Sequence, residues 1–233
     1  MIDLHGYGMS LLEGTVLTVE AALTSAVVAI VLGMLGAIAK LSRSAPARWL
    51  AQTYTTLIRG VPDLVLMLLV FFGGQMLVNQ VAPMVGYEDY IDVNPFIAGV
   101  GTMGFIYGAY MTETFRGAIL AVPSGQLEAG HAFGMSPLQV FVQILMPQMI
   151  RHALPGFGNN WLVLLKATAL LSVLGLDDAL RKAGLAAGAT REPFTFYMTV
   201  ALIYLLLTTV SILLLGMLER RYSAAYARPA HGF

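Results

Sequence analysis

Few side chains in this chain can do chemistry, and most of those stand in or beside long apolar runs. Residues 151–172 are apolar except for the leading Arg151 and His152, the uncharged polar Asn159, Asn160 and Thr168, and one interior charge, Lys166. Asp63 opens another apolar run just after Pro62, and Asp177 and Asp178 follow the 151–172 run. An ionisable group at membrane depth costs several kcal/mol unless partnered or hydrated, so such groups mark either a pathway or a structural pair. Lys166 can line a pathway, hold a carboxylate, neutralise Asp177 or Asp178, or snorkel to the outer surface. The carboxylates of Asp63, Asp177 and Asp178 can replace water around a guanidinium or ammonium group. Equally, Asp63 suits a helix N-terminus and the Asp-Asp pair suits a capped, solvated turn. Asn159, Asn160 and Thr168 either form a polar face along a pathway or hydrogen-bond neighbouring helices.

Catalytic chemistry has no constellation to run on. His5, His131, His152 and His231 lack metal-ligand spacing, and Ser124, Ser136 and Ser172 have no neighbouring acid or base. Cysteine is absent, so disulfides and thiolate sites are excluded. The Gly-x-x-x-x-Gly-Lys-Ser/Thr phosphate loop is missing too, so the chain itself is not a nucleotide-binding subunit and calls for no cofactor of its own.

The elements that would position these residues are membrane helices. Hydrophobic residues make up 58% of the 233, charged residues 11%, and the mean hydropathy is +0.75, far too apolar for a solvated globular surface. A net charge of zero offers no footprint for nucleic acid. Four uncharged runs of about 20 residues, the length that crosses hydrocarbon, together with the 151–172 stretch and its interior Lys166, predict five spans at about 11–39, 54–80, 93–117, 151–172 and 194–218 in one all-α polytopic domain. Gly33-x-x-Gly36 and Gly104-x-x-x-Gly108 predict close helix packing. Residues 1–20 carry no Lys or Arg, whereas Lys40, Arg43, Arg48 and Arg59 follow the first span and Arg220, Arg221 and Arg228 follow the last. That asymmetry predicts an external N-terminus and a cytoplasmic C-terminus. Arg181, Lys182 and Arg191 in the 177–192 loop run against it.

In this topology the longest cytoplasmic connection is about 121–150, a polar, glycine-punctuated segment that lipid does not explain. Pro123 breaks the third span, Ser124 can cap a short helix from Gln126 to Phe133, and Gly134 ends it. Ser136 and Pro137 start another helix, which the Pro147 ring is expected to kink or interrupt. The short helix reads either as a docking element or as an ordinary surface loop.

Glu128-Ala129, Gly134 and, after nine further residues, Ile144-x-Met146-Pro147 resemble the EAA loop of ABC importer membrane subunits. Gly130 stands where a second Ala is usual and Met146 where Leu is usual. Arg59-Gly60-Val61-Pro62-Asp63-Leu64, Gly104 to Tyr110, Thr112 to Gly117, Leu154 to Trp161 and Lys166 to Leu170 extend the resemblance to the polar amino acid branch, chiefly its Q-type permeases for histidine, lysine, arginine and ornithine. The resemblance implies a five-helix MetI-like core in a bacterial inner membrane. It implies Glu128, Ala129, Gly134, Ile144 and Pro147 as the ATPase-coupling residues. It also implies a second homologous permease, two ATP-binding cassette subunits carrying ATP and Mg, and a periplasmic substrate-binding protein as partners. Another polar amino acid or an opine is the alternative substrate. A nucleotide-independent channel or secondary transporter is the alternative class, which would leave the 128–147 segment without a purpose.

Overall fold

The computed structural model describes residues 4–224; Arg228 and His231 lie outside them. The described chain is helical throughout. In order it forms α1 (Gly8–Leu41), α2 (Ala45–Gly60), α3 (Asp63–Val81), α4 (Pro95–Leu120), α5 (Ser124–Ala132), α6 (Pro137–Gln139), α7 (Met146–Ala167), α8 (Ala179–Thr190) and α9 (Pro193–Ala224). A π-helical turn, Val140–Leu145, joins α6 to α7, and a 3₁₀ turn, Thr168–Leu174, prolongs α7.

The core is a parallel pair, α1 and α4, meshed through the glycines. A Cβ on Gly33 would stand 2.4 Å from Met111 Cβ, and one on Gly36 would stand 2.2 Å from Thr112 Oγ1. Reciprocally, a Cβ on Gly104 would meet Val28 Cγ1 at 2.4 Å, and one on Gly108 would meet Leu32 Cβ at 2.9 Å. Numbers rise together along both helices, so their N-termini lie at the same end. Close backbone approach of this kind is how helices associate where burying apolar surface gains little over lipid. α7 runs antiparallel to α4, with Gly156 against Thr114 and Leu171 over Gly99.

Among the described residues, four helical stretches are long and apolar enough to cross a membrane: Gly8–Leu41, Asp63–Val85, Pro137–Leu174 and Pro193–Tyr222. The 26-residue α4 is as long but less apolar, being rich in Gly, Thr and Tyr. It sits inside the bundle, where Met103, Ile106, Ala109 and Met111 are fully buried. A helix walled in by others need not be greasy, only small enough to pack.

Three local expectations are corrected. The 54–80 run is two helices: Val61 is extended, as a residue before proline tends to be, and α3 starts afresh at Asp63 after Pro62. Pro147 does not interrupt its helix. It occupies the first turn of α7, and the wide turn ahead of it absorbs the missing donor, so helix is continuous from Pro137 to Leu174 and the 151–172 stretch starts well before Arg151. Ser124 is not a cap but the first residue of α5, with Pro123 preceding it and no side-chain cap present. Ser136 does cap α6, in a box where its hydroxyl receives the Gln139 N–H and Gln139 Oε1 receives the Ser136 N–H.

Polar side chains form two layers. At one end Lys40 binds Glu113 and donates to Gln52 Oε1 at 2.8 Å, while Arg116 Nε holds Glu113 Oε2 at 2.9 Å, tying α1, α2 and α4 together. At the other end Thr18 Oγ1 receives the Ala179 N–H at 3.2 Å and docks α8 on α1. Thr18 and Lys40 are 22 residues apart, about 33 Å of helix, close to the thickness of a hydrocarbon core.

Candidate functional site

The 121–150 segment carries a short helix, α5, with one face seated and one face free. Gly134 at φ 80° turns the chain out of α5, and its N–H bonds the His131 carbonyl at 2.9 Å. Gly130 is the buried point of α5: a Cβ there would meet Ile144 Cδ1 at 2.6 Å and Val140 Cγ2 at 3.1 Å. Glycine therefore lets α5 lie directly on the π turn. Gln148 Nε2 donates to Gln126 Oε1 at 2.6 Å and to the Ile144 carbonyl at 2.9 Å, fixing the start of α5 to α7. Ile144 and Pro147 are half-buried beneath this seat. Glu128 and Ala129 face outward, and Glu128 makes no ion pair among the described residues. Phe133 is 90% exposed beside them and Leu138 71%. The acidic and apolar groups of this free face suit a protein partner. Phe133 was missed at the sequence level, where a Phe in a membrane protein carries no information about which way it points.

The seven polar residues read as a pathway do not gather into one site. Asp178 is fully buried and caps α8, its Oδ1 accepting the Arg181 N–H at 2.8 Å, while Oδ2 is buried without a partner. Burial pushes its carboxyl up to about 6, against the opposing pull of the Arg181 and Leu180 backbone N–H groups. Asp177 is exposed and pairs with Arg181 Nε at 2.9 Å. Neither carboxylate is left for Lys166, which is exposed near the end of α7 and makes no ion pair among the described residues. Thr168 is buried; its hydroxyl donates to the Leu165 carbonyl at 2.6 Å and lies 3.3 Å from Tyr204 Oη. Asn160 Nδ2 donates to Thr114 Oγ1 at 2.9 Å, tying α7 to α4, while its neighbour Asn159 is exposed.

Asp63 is the exception. Its Oδ2 accepts from Tyr107 Oη at 3.1 Å, and Tyr107 lies midway along α4. The break at Val61-Pro62 thus falls beside the middle of the bundle rather than at its end, and it brings Arg59 with it. The guanidinium lies 5.6 Å from the Tyr110 ring centroid, and the Tyr107 and Tyr110 rings are themselves 5.6 Å apart. Arg59, read from sequence as a charge in the connection after the first span, belongs with Asp63 and the two tyrosines. Among the described residues no group of three His, Cys, Asp or Glu could hold a metal ion.

A profile for the binding-protein-dependent transport system inner membrane component matches residues 29–224. The chain is 53% identical over 225 residues, 97% of its length and 98% of the relative's, to the histidine/lysine/arginine/ornithine transport system permease protein HisQ of Salmonella typhimurium. It is 41% identical over 216 residues, 93% and 91% of the two lengths, to the octopine transport system permease protein OccQ of Rhizobium radiobacter. To the arginine ABC transporter permease protein ArtQ of Escherichia coli it is 37% identical over 227 residues, 92% and 95% of the two lengths. Among solved structures, an amino acid ABC transporter crystallised with histidines superposes with a TM-score of 0.76 at 30% identity, over 92% of this chain and 95% of that one. The inward-facing MetNI methionine ABC transporter shares the fold, with a TM-score of 0.72 at 18% identity over 92% and 97% of the two chains. The chain accordingly belongs to the family of binding-protein-dependent transport system inner membrane components.

Proposed function

We propose that this chain is the membrane-spanning permease subunit of an ATP-driven importer of cationic and polar amino acids, with arginine, lysine, ornithine and histidine as substrates. The observation that carries the reading is α5: a short helix seated on the π turn through Gly130, with Glu128 and Ala129 turned outward. The 53% identity to a histidine/lysine/arginine/ornithine permease across nearly the whole chain supports the substrate class, above the 41% to an octopine permease.

In this reading the bilayer is crossed five times in an inner membrane, by α1, by α2 and α3 as one broken crossing, by α4, by α7 and by α9. The N-terminus is periplasmic and the C-terminus cytoplasmic. The parallel α1 and α4 and the antiparallel α7 fit that order, as do the two polar layers at either end of the hydrophobic slab. A second homologous permease completes the translocation path, and a periplasmic binding protein delivers substrate at the α8 end. Two ATP-binding cassette subunits, which hold ATP and Mg, dock on the free face of α5. Closure of the ATPase pair pushes α5, and the seat on the π turn passes that motion into α7. Glu128, Ala129 and Gly134 form and end the docking helix, while Ile144 and Pro147 belong to its support.

Co-purification and reconstitution test this directly. Glu128→Lys is expected to insert normally and to lose ATP-dependent arginine uptake in proteoliposomes. Wild-type uptake that persists without any ATPase partner would return the chain to the channel or secondary-transporter class.

A further inference from the structure

The turn from α1 into α2 gathers positive charge beside an apolar groove. Residues 40–62 hold Lys40, Arg43, Arg48 and Arg59 and neither Asp nor Glu. Lys40 is taken up by Glu113, whose other oxygen holds Arg116, so its charge is spent inside the bundle. Arg43 and Arg48 are exposed, and neither pairs with a carboxylate among the described residues. Arg48 Nη1 donates to the Ser42 carbonyl at 3.0 Å and to the Arg43 carbonyl at 2.9 Å, which pins its guanidinium to the turn. Trp49, the next residue, is exposed as well.

From this turn a groove of about 420 Å³ runs between the two helices. Leu32, Leu35 and Ala39 of α1 form one wall, and Ala47, Leu50 and Tyr54 of α2 the other. On each wall the first and last of these are seven residues apart, so the groove reaches about 10 Å from the turn towards the middle of the bundle. The alanines stand at the turn and leave the mouth open. The Tyr54 hydroxyl donates to the Phe105 carbonyl, so the groove offers a ligand no polar group of its own. On the bilayer placement proposed above, the walls lie inside the hydrocarbon slab, and the mouth lies at the cytoplasmic headgroup level, where tryptophan is favoured.

We propose that this groove binds one anionic phospholipid of the cytoplasmic leaflet, with an acyl chain between α1 and α2 and the headgroup phosphate on Arg43 and Arg48. Charge complementarity selects the occupant: a chain-shaped apolar slot opens under two unpaired guanidinium groups. Guanidinium presents paired donors to phosphate oxygens, and basic pockets between spans on the cytoplasmic side suit anionic headgroups. A zwitterionic lipid brings the same chain and phosphate but also a cation of its own to the arginines. The lipid acts as a wedge, because α2 buries only Ala51, Thr55 and Ile58 and is held on one face alone. The proposal rests on the bilayer placement in the permease reading and adds a lipid to it.

The test uses the purified permease–ATPase complex, with lipid adducts counted by native mass spectrometry during titration with dioleoyl phosphatidylglycerol or dioleoyl phosphatidylcholine. An arginine at an anionic headgroup is worth about fivefold. Phosphatidylglycerol is therefore expected to bind roughly tenfold or more tightly than phosphatidylcholine. Arg43→Gln is expected to weaken phosphatidylglycerol about fivefold and phosphatidylcholine less than about twofold, while Ala47→Phe, which fills the mouth, weakens both. Arg220→Gln removes a cation from α9, which contributes nothing to the groove, and is expected to change neither. Equal binding of the two lipids overturns the site. So does a loss with Arg220→Gln as large as with Arg43→Gln, which would reduce the arginines to diffuse attraction. A groove covered by the second permease would take up neither lipid, and that outcome overturns the proposal too. The chain has no cysteine, so Arg43→Cys reports the orientation separately. A membrane-impermeant maleimide is expected to label it in inverted vesicles only; labelling from outside intact cells overturns the bilayer placement, whereas equal lipid binding overturns the site alone.

Discussion

Replacing Asp178 with asparagine isolates what a half-satisfied buried carboxylate costs this fold. Asparagine is as good an N-cap as aspartate, so the 2.8 Å bond from the Arg181 N–H survives the exchange. What changes is the charge on a group whose other oxygen is buried with no partner. Burial raises the carboxyl from 3.8 to about 6. Its folded form is therefore protonated more readily than its unfolded form. The stability it contributes is fully present below about 3.8 and is lost as pH rises through about 6, because ionisation is harder in the folded chain. Above that window the ionised form leaves the protein roughly 3 kcal/mol less stable than the protonated form. Burying a neutral amide in the same place costs about 1 kcal/mol, so Asp178→Asn is expected to gain roughly 2 kcal/mol at pH 8 and almost nothing at pH 4.5. For a chain of this size that is a rise in Tm of roughly 4–8 °C at pH 8, read by thermal unfolding in detergent at the two pH values. A Tm that is unchanged or lower at both would refute the claim that the carboxylate is uncompensated.

Two further outcomes follow from the glycines. Gly33→Ala drives a methyl to 2.4 Å from Met111 Cβ, so α1 and α4 must part; a loss of roughly 1–3 kcal/mol is expected in the same melting assay. Gly101→Ala, on the open side of α4, is the control and should be neutral or stabilising by up to about 1 kcal/mol. At Gly130 two effects of similar size compete: alanine favours helix by about 1 kcal/mol, but its methyl meets Ile144 Cδ1 at 2.6 Å, the movable end of a side chain. Gly130→Ala alone should change Tm little, while combined with Ile144→Val, which removes that methyl, it should raise Tm relative to Ile144→Val; a pair that simply adds would show that the seat is not where the two residues meet.

The helical bundle, the close packing at Gly33, Gly36, Gly104 and Gly108, and the capped start at Ser136 were legible because each follows from local pattern: apolar runs, small residues one turn apart, and a hydroxyl ahead of a proline. A pair such as Glu113 and Arg116, one helical turn apart, is legible for the same reason. Lys40 was not, since its partner lies 73 residues away on another helix. The same limit hid the depth of Asp63, though the sequence already marked it as a candidate. A carboxylate after Pro62 looks like a helix start whether that start is at the surface or deep inside, and only Tyr107, 44 residues on, fixes its depth. For Lys166 the sequence left a pathway, a carboxylate partner and the outer surface all open; in the structure it is exposed and makes no ion pair among the described residues. Nor does composition announce the π turn, whose six residues include no glycine or proline.

That wide turn keeps angular phase. A helix advances about 100° per residue, so the surplus residue held in Val140–Leu145 turns everything ahead of it, including α5, by about that much around the α7 axis relative to an unwidened helix. The orientation of Glu128 and Ala129 is therefore set by a count of residues some dozen positions away. Removing one residue from the turn would regularise the helix while swinging the exposed Glu128–Ala129 face to a new compass bearing, with every side chain of α5 intact.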